Sequence, residues 1–221
     1  PEKLKEHWLL SQLTPNEFDN LIEKSTSVSY RKRETIVKKG EFSTHLVMVE
    51  KGFVKIEVEH GRRTFILDIA PPGSLVGMPI VLCASKHPFS VVPLTDADVR
   101  FFPVDVFRRI MEENGRIALA AIQYSNQNFV LPMFEKLQSI SQNNIRGRLA
   151  KLLLHLSVST HSSNKFSLLI TRYEIAHMIG FSRENVIRIL SELHAEGVID
   201  VNGKQVEILN QKGLEELAKY S

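Results

Sequence analysis

The chain has a single cysteine, Cys83, among 221 residues. A disulfide within the chain is therefore excluded, as is any four-cysteine zinc or iron–sulfur site built from one copy. A lone cysteine of this kind reads first as a small buried hydrophobe. Long apolar runs are also missing: the stretches from Ile66 to Pro72 and from Leu152 to Val158 fall far short of the roughly 18 residues that a spanning helix needs. The first residues mix charges of both signs, with no apolar core leading to a small-residue cleavage site, so a cytoplasmic location is expected. Neither a metal-ligand cluster, a phosphate-cradling glycine loop nor a nucleophile–base pattern is present, and no enzymatic activity is expected. With 43% hydrophobic and 24% charged residues, the composition is that of an ordinary folded globular protein.

The net charge of +3 says little by itself, but its distribution is uneven. Residues 141–190 hold seven basic side chains (Arg146, Arg148, Lys151, Lys165, Arg172, Arg183 and Arg188) against two acidic ones, Glu174 and Glu184. This stretch is the candidate phosphate-facing region.

Near residue 104 the pattern changes. Before it, short β-rich runs alternate with glycine or proline; after it, apolar residues recur at helical spacing. Thr14-Pro15 followed by Glu17 predicts a capped helix running to about Glu23. Strands are predicted at Val47–Glu50, Phe53–Glu59, Thr64–Ile69, Ser90–Leu94 and Val99–Phe102, with His60-Gly61 as a hairpin turn. Such short strands punctuated by Gly40, Gly52, Gly61, Gly73 and Gly77 suggest an antiparallel β-roll of jelly-roll type, giving an α+β fold overall. From Arg116 to about Asn143 a long helix carries Ile122, Phe129, Met133, Leu137 and Ile140 along one stripe. A two-helix dimer seam is the economical way to cover that stripe, intramolecular packing being the alternative. Pro132 is expected to kink or split this helix near Leu131.

The segment from Leu168 to Leu209 is the most informative. Thr171 and Glu174 form a capping box ahead of Ile175, Ala176 and Ile179; Gly180 supplies a turn; and Ser182 caps a second helix. In that helix Val186, Ile189, Leu190 and Leu193 fall on one side, which predicts an inward face. Glu184, Arg188 and Ser191, flanked by Arg183 and Ile187, lie on the other. Arginine can donate twice to guanine O6 and N7, and glutamate can accept from cytosine N4, so this edge suits a recognition helix. Hydroxyls and free amides at Thr171 and Ser182 suit phosphate oxygens. Val198–Val201 and Gln205–Leu209, joined by Asn202-Gly203, predict a β-hairpin wing with Lys204 at its tip.

These residues resemble the CRP/FNR superfamily of transcription regulators. The run TRYEIAHMIGFSRENVIRILSELHAEGVI, Thr171 to Ile199, is similar to the family's helix-turn-helix signature. Upstream pieces agree, namely KKG at 38–40, EKGFVKI at 50–56, PPGSLVG at 71–77 and IRGRLAKLLLHL at 145–156. The resemblance implies a cyclic-nucleotide-binding-like β-roll over residues 1–115, a dimerisation helix over 116–143 and a winged helix-turn-helix over 144–221. It implies a homodimer on a palindromic site in double-stranded DNA, with RNA polymerase as a partner and no membrane association. By position, Arg183, Glu184 and Arg188 match the family's base-reading residues, while Arg172, Ser182, Asn185 and Lys204 match residues that hold phosphates. Arg183 is similar to the catabolite-activator branch, whereas Ile187 departs from the small residue common before the second arginine.

The same resemblance locates an effector site and argues about its occupant. Cyclic-AMP-binding relatives use a Gly-Glu pair for the ribose and an Arg-Ser/Thr pair for the cyclic phosphate. The matching stretches here read Gly77-Met78 and His87-Pro88, so both charged anchors are missing, and a buried phosphodiester would lack a counter-charge. Cyclic AMP is not expected. An iron–sulfur cluster fails on the cysteine count. Haem remains open through Cys83 and His87, potential axial ligands four residues apart. The other reading is an apolar or weakly polar effector, or none, at a pocket of Leu75, Met78, His87, Phe89, Met133, Phe134 and Leu137, for which ordinary core packing is the alternative. A regulatory module acting on a protein partner is the competing reading of the whole chain.

Overall fold

A computed structural model describes residues 2–219 except 62, 82, 135–136, 138–143 and 162. It divides into two compact units, residues 1–58 with 70–134, and residues 59–69 with 135–221.

The first unit begins with α1 (Glu2–Lys5) and α2 (Pro15–Glu23). The second of these starts as the sequence predicts. Thr14 accepts from the Glu17 amide and the Glu17 carboxylate accepts from the Thr14 amide, which closes a capping box on two otherwise unpaired donors. Seven strands follow along the chain, the end of β3 and nearly all of β4 falling among residues 59–69 of the second unit: β1 (Thr26–Tyr30), β2 (His45–Lys51), β3 (Val54–His60), β4 (Arg63–Ala70), β5 (Leu75–Val76), β6 (Ser90–Pro93) and β7 (Ala97–Pro103). They form one sheet in the order β1-β7-β2-β5 and another in the order β4-β3-β6. β7 pairs antiparallel with both β1 and β2, and β3 with β6.

Alternation along β2 explains how this unit builds two cores. Val47 and Val49 pack with Val54, Ile56, Val91 and Val99 from both sheets. Leu46 and Met48, on the opposite face, pack with Leu75, Phe102 and helical side chains including Phe18, Phe107 and Tyr124. Successive strand residues point to opposite faces, so a strand covered on both sides loses the polar half of its pattern. The helical layer consists of α2, α4 (Val104–Glu113) and α5 (Gly115–Ser125), with the short α3 (Met78–Val81) between β5 and β6.

α5 runs into a five-residue π-helical turn, Asn126–Val130, and helical residues continue through Phe134. Pro132 has no amide hydrogen to close a bond to the preceding turn. The widened turn absorbs this, because the Leu131 amide reaches back five residues to Asn126 and the Asn128 side chain donates to the Tyr124 carbonyl. The disturbance expected at Leu131 thus begins at residue 126.

In the second unit, α6 (Ile145–His155), α7 (Arg172–Ile179), α8 (Arg183–Ala195) and α9 (Gln211–Lys219) surround a three-stranded sheet. Its order is β8-β10-β9, from β8 (Lys165–Ser167), β9 (Ile199–Asn202) and β10 (Gln205–Ile208). Leu149, Leu153, Ile175, Val186, Ile189, Leu193, Ile199, Val206 and Leu214 are all nearly or fully buried. Among the described residues, no helix is long and apolar enough to cross a membrane.

Candidate DNA-binding surface

α7 and α8 are positioned by three local devices. The Thr171 side chain accepts from the Glu174 amide at 3.2 Å, and the Thr171 amide donates to the Glu174 carboxylate at 2.8 Å. Gly180 then takes the left-handed conformation, with φ +76°, that ends α7 and turns the chain. Ser182 opens α8 by accepting from the Asn185 amide at 3.2 Å. A side chain other than glycine at 180 would be strained by that φ and would also meet the Arg148 guanidinium. Arg148, on α6, donates to the Ile179 carbonyl at 2.8 Å and stacks over the Phe181 ring. The turn is therefore held from outside as well, a role for Arg148 that no local sequence signal carries.

α8 presents the two edges its spacing predicts. Val186, Ile189, Leu190 and Leu193 are buried. Arg183, Glu184, Ile187, Arg188 and Ser191 are exposed, with Asn185 half-buried between them. The Arg183 and Glu184 side chains have no partner among the described residues. Arg188 donates to Glu192, one turn further along, at 2.6 Å. The Ser191 hydroxyl is turned back onto the Ile187 carbonyl, which leaves the helix edge lined by the charged groups.

The wing differs from expectation by one residue. Asn202 pairs with Gln205, so the two-residue loop is Gly203-Lys204 rather than Asn202-Gly203. Gly203 has φ +59° while Lys204 does not share a positive φ, the signature of a type II′ hairpin with glycine first. Lys204 stands exposed at this tip. Arg172, matched by family position to a phosphate contact, is half-buried and donates to the Gly203 carbonyl. Burial lowers its guanidinium pKa, yet it remains charged. It ties the start of α7 to the wing.

The proposed effector residues have different surroundings. Leu75 and Met78 are fully buried in the core shared with the helices, whereas Phe89 belongs to the core between the sheets. His87 is buried against the Phe89 ring, and its Nδ1 has no partner among the described residues. Burial holds its imidazole below the ordinary histidine value, outweighing the Glu41 carboxylate. Cys83 faces solvent and points its thiol at the Pro79 carbonyl, at 3.0 Å. Met133, Phe134 and Leu137 are each more than half exposed. Of the expected seam, Ile122 is also exposed, Phe129 packs partly against the helical core, and Ile140 lies outside the described residues.

Comparison with known proteins supplies the family. Residues 27–114 match the model of the cyclic nucleotide-binding domain, and residues 147–217 match that of the Crp-like helix-turn-helix domain. The chain is 26% identical to the anaerobic regulatory protein of Aggregatibacter actinomycetemcomitans, over 95% of this chain and 82% of that one. It is 26% identical to the cAMP-activated global transcriptional regulator CRP of Salmonella typhimurium, over 81% and 87% of the two chains. Among solved structures, FixK2 from Bradyrhizobium japonicum superposes with a TM-score of 0.78 at 21% identity, covering 87% of this chain and 96% of that one. With the sensor-type domain and the DNA-binding domain in this order along nearly its whole length, the chain belongs to the CRP/FNR superfamily of transcription regulators.

Proposed function

We propose that the protein is a homodimer that reads a palindromic DNA site with Arg183, Glu184 and Arg188 of α8, and that cyclic AMP does not control it. The observation carrying the first part is the outer edge of α8, whose charged groups stay at the surface while its inner edge is buried. Arg183 and Arg188 each have donors available for guanine O6 and N7, and Glu184 can accept from cytosine N4. Ser182, Asn185, Thr171 and Lys204 offer hydroxyl, amide and ammonium donors suited to the phosphates that flank such a helix. Two helices related by a two-fold axis enter successive major grooves about 34 Å apart. Exposed Leu119, Ile122, Leu131, Met133 and Phe134 supply the apolar surface that a partner copy would cover. RNA polymerase is the partner through which a bound dimer changes transcription.

Against cyclic AMP stands the chemistry of the stretches at 77–78 and 87–88. Met78 contributes no carboxylate for a ribose, and burial, which lowers the His87 pKa, disfavours a positive charge there to meet a phosphodiester. Two part-buried cations of the roll, Arg100 and Lys55, are paired with Glu50 and Glu57.

Selection from a random duplex pool should enrich a two-fold symmetric motif without added nucleotide. Arg188→Ala should then lose about 1–3 kcal/mol of preference for that motif over a scrambled duplex. A pool that shows no enrichment refutes the reading, and enrichment only in the presence of cyclic AMP refutes its second part.

A further inference from the structure

One group on α8 has no place in base or phosphate contact, yet it touches a base-reading residue. Glu192 accepts from Arg188 Nη1 through Oε1 at 2.6 Å and from Arg146 Nη1 through Oε2 at 3.4 Å. Arg146, in the first turn of α6, donates its other terminal nitrogen to Glu196. Each oxygen of Glu192 thus meets a different arginine, from two helices.

We infer that Glu192 is a specificity-determining positioning residue: held by Arg146, it fixes the Arg188 guanidinium so that its free edge meets a guanine. The inference rests on the assignment of Arg188 to base reading. A guanidinium is a planar fork with five donors. When Nη1 is committed to Glu192, the remaining donors keep a set direction, and the rotamer freedom of a long side chain is lost before DNA arrives.

Helix stability does not account for the pair. The order arginine then glutamate at i, i+4 runs against the helix dipole, and an exposed pair of this kind contributes little to folding. A bare carboxylate on a helix facing phosphates would also weaken binding to every sequence; Arg146 offsets that charge while holding the group in position. The base-reading arginine is in this way tied to the placement of α6 relative to α8.

The test compares wild type, Glu192→Gln, Glu192→Ala, Arg188→Ala and the Glu192→Ala/Arg188→Ala double variant on the selected duplex and on duplexes altered at single base pairs. Arg188→Ala should cut discrimination at one base pair by about 5- to 150-fold, the range one bidentate contact supplies. Glu192→Ala should cut it at that same base pair by about 3- to 10-fold, with affinity for scrambled DNA unchanged or higher, because a negative charge has been removed and Arg188 is freed toward phosphates. Glu192→Gln should fall between Glu192→Ala and wild type. In the Arg188→Ala background, Glu192→Ala should change discrimination at that position no further.

An additional loss in that background overturns the inference, as does a gain of discrimination in Glu192→Ala, which would mean that the carboxylate competes with the base. Lowered affinity for every duplex together with a lowered melting temperature would mean a structural role and would also overturn it. If Arg188→Ala itself leaves sequence preference intact, the assignment of the recognition edge has failed instead.

Discussion

The two units place charge differently at the features that define them, the sheets of one and the outer helix edge of the other. In the first, charged groups near the sheets satisfy one another: Arg100 donates to Glu50 and to Ser25, Lys55 pairs with Glu57, and Asp98 is shared by Lys51 and Ser29. In the second, the outer edge of α8 and the wing tip keep Arg183, Glu184 and Lys204 with no partner among the described residues. Solvated charges keep any folded surface in water, so singly they mark nothing; gathered along one helix edge they suit a surface that meets a polyanion. The strands of the roll hold their charges in pairs, a closed arrangement, and the winged unit leaves one edge open.

The largest expected effect tests the closed half. Phe107, almost fully buried in the helical core, should cost about 3–5 kcal/mol when replaced by alanine, read by denaturant unfolding. Sequence preference of the protein that remains folded should not change; if it does, the recognition edge depends on the roll more than the comparison allows. Arg183→Ala comes next, with about 1–3 kcal/mol of discrimination lost in competition binding and a melting temperature close to wild type. A matching fall in stability would show that Arg183 supports the fold after all. Ser182→Ala should lower stability by about 1 kcal/mol through the lost cap, measured by thermal unfolding of the same domain.

Lys204→Ala should weaken binding to all sequences alike and flatten the plot of log affinity against log salt by about one unit. A loss confined to one sequence would make Lys204 a base reader. The smallest effect is expected from pH. Burial lowers the His87 pKa below its ordinary 6.5, so the unfolded chain binds this proton more readily than the folded roll. That contribution to stability is complete above about pH 6.5 and declines as pH falls through it, toward the lower folded value. His7, also lowered by burial, acts in the same direction. His87→Gln should therefore reduce, without abolishing, the acid-side fall in melting temperature between pH 7.5 and 5.5. An unchanged slope would mean that the His87 ring is not held neutral.

What could be read in advance follows the range of the interaction. The cap at Thr14, the capping box at Thr171 and Glu174, the Gly180 turn and the inner face of α8 are encoded within a few residues, and each is present as predicted. The hairpin signal at Asn202-Gly203 gave the wing but not its register, since either residue suits a positive φ and cross-strand pairing decides between them. β1, residues 26–30, went unread because three of its five residues are polar and its partner, β7, lies some seventy positions on. β8, with three residues, becomes a strand only through pairing with β10. The expected effector pocket rested on matching positions to relatives, and matching cannot reveal that Leu75 and Met78 belong to one core while Phe89 belongs to another.

By itself, the order of residues determined where helices start and stop, which edge of α8 is apolar, and that residues Lys204 and Arg183 to Arg188 bring charge to one short region, because caps, periodicity and turns act between near neighbours. Only the tertiary structure decided that Arg172 ties the wing, that Arg148 holds the turn at Gly180, and that Glu192 stands between Arg188 and Arg146. Those contacts join groups that packing of the helices and sheet brings within hydrogen-bond reach, and a guanidinium's partner is set by where it arrives in space rather than by its neighbours in the chain.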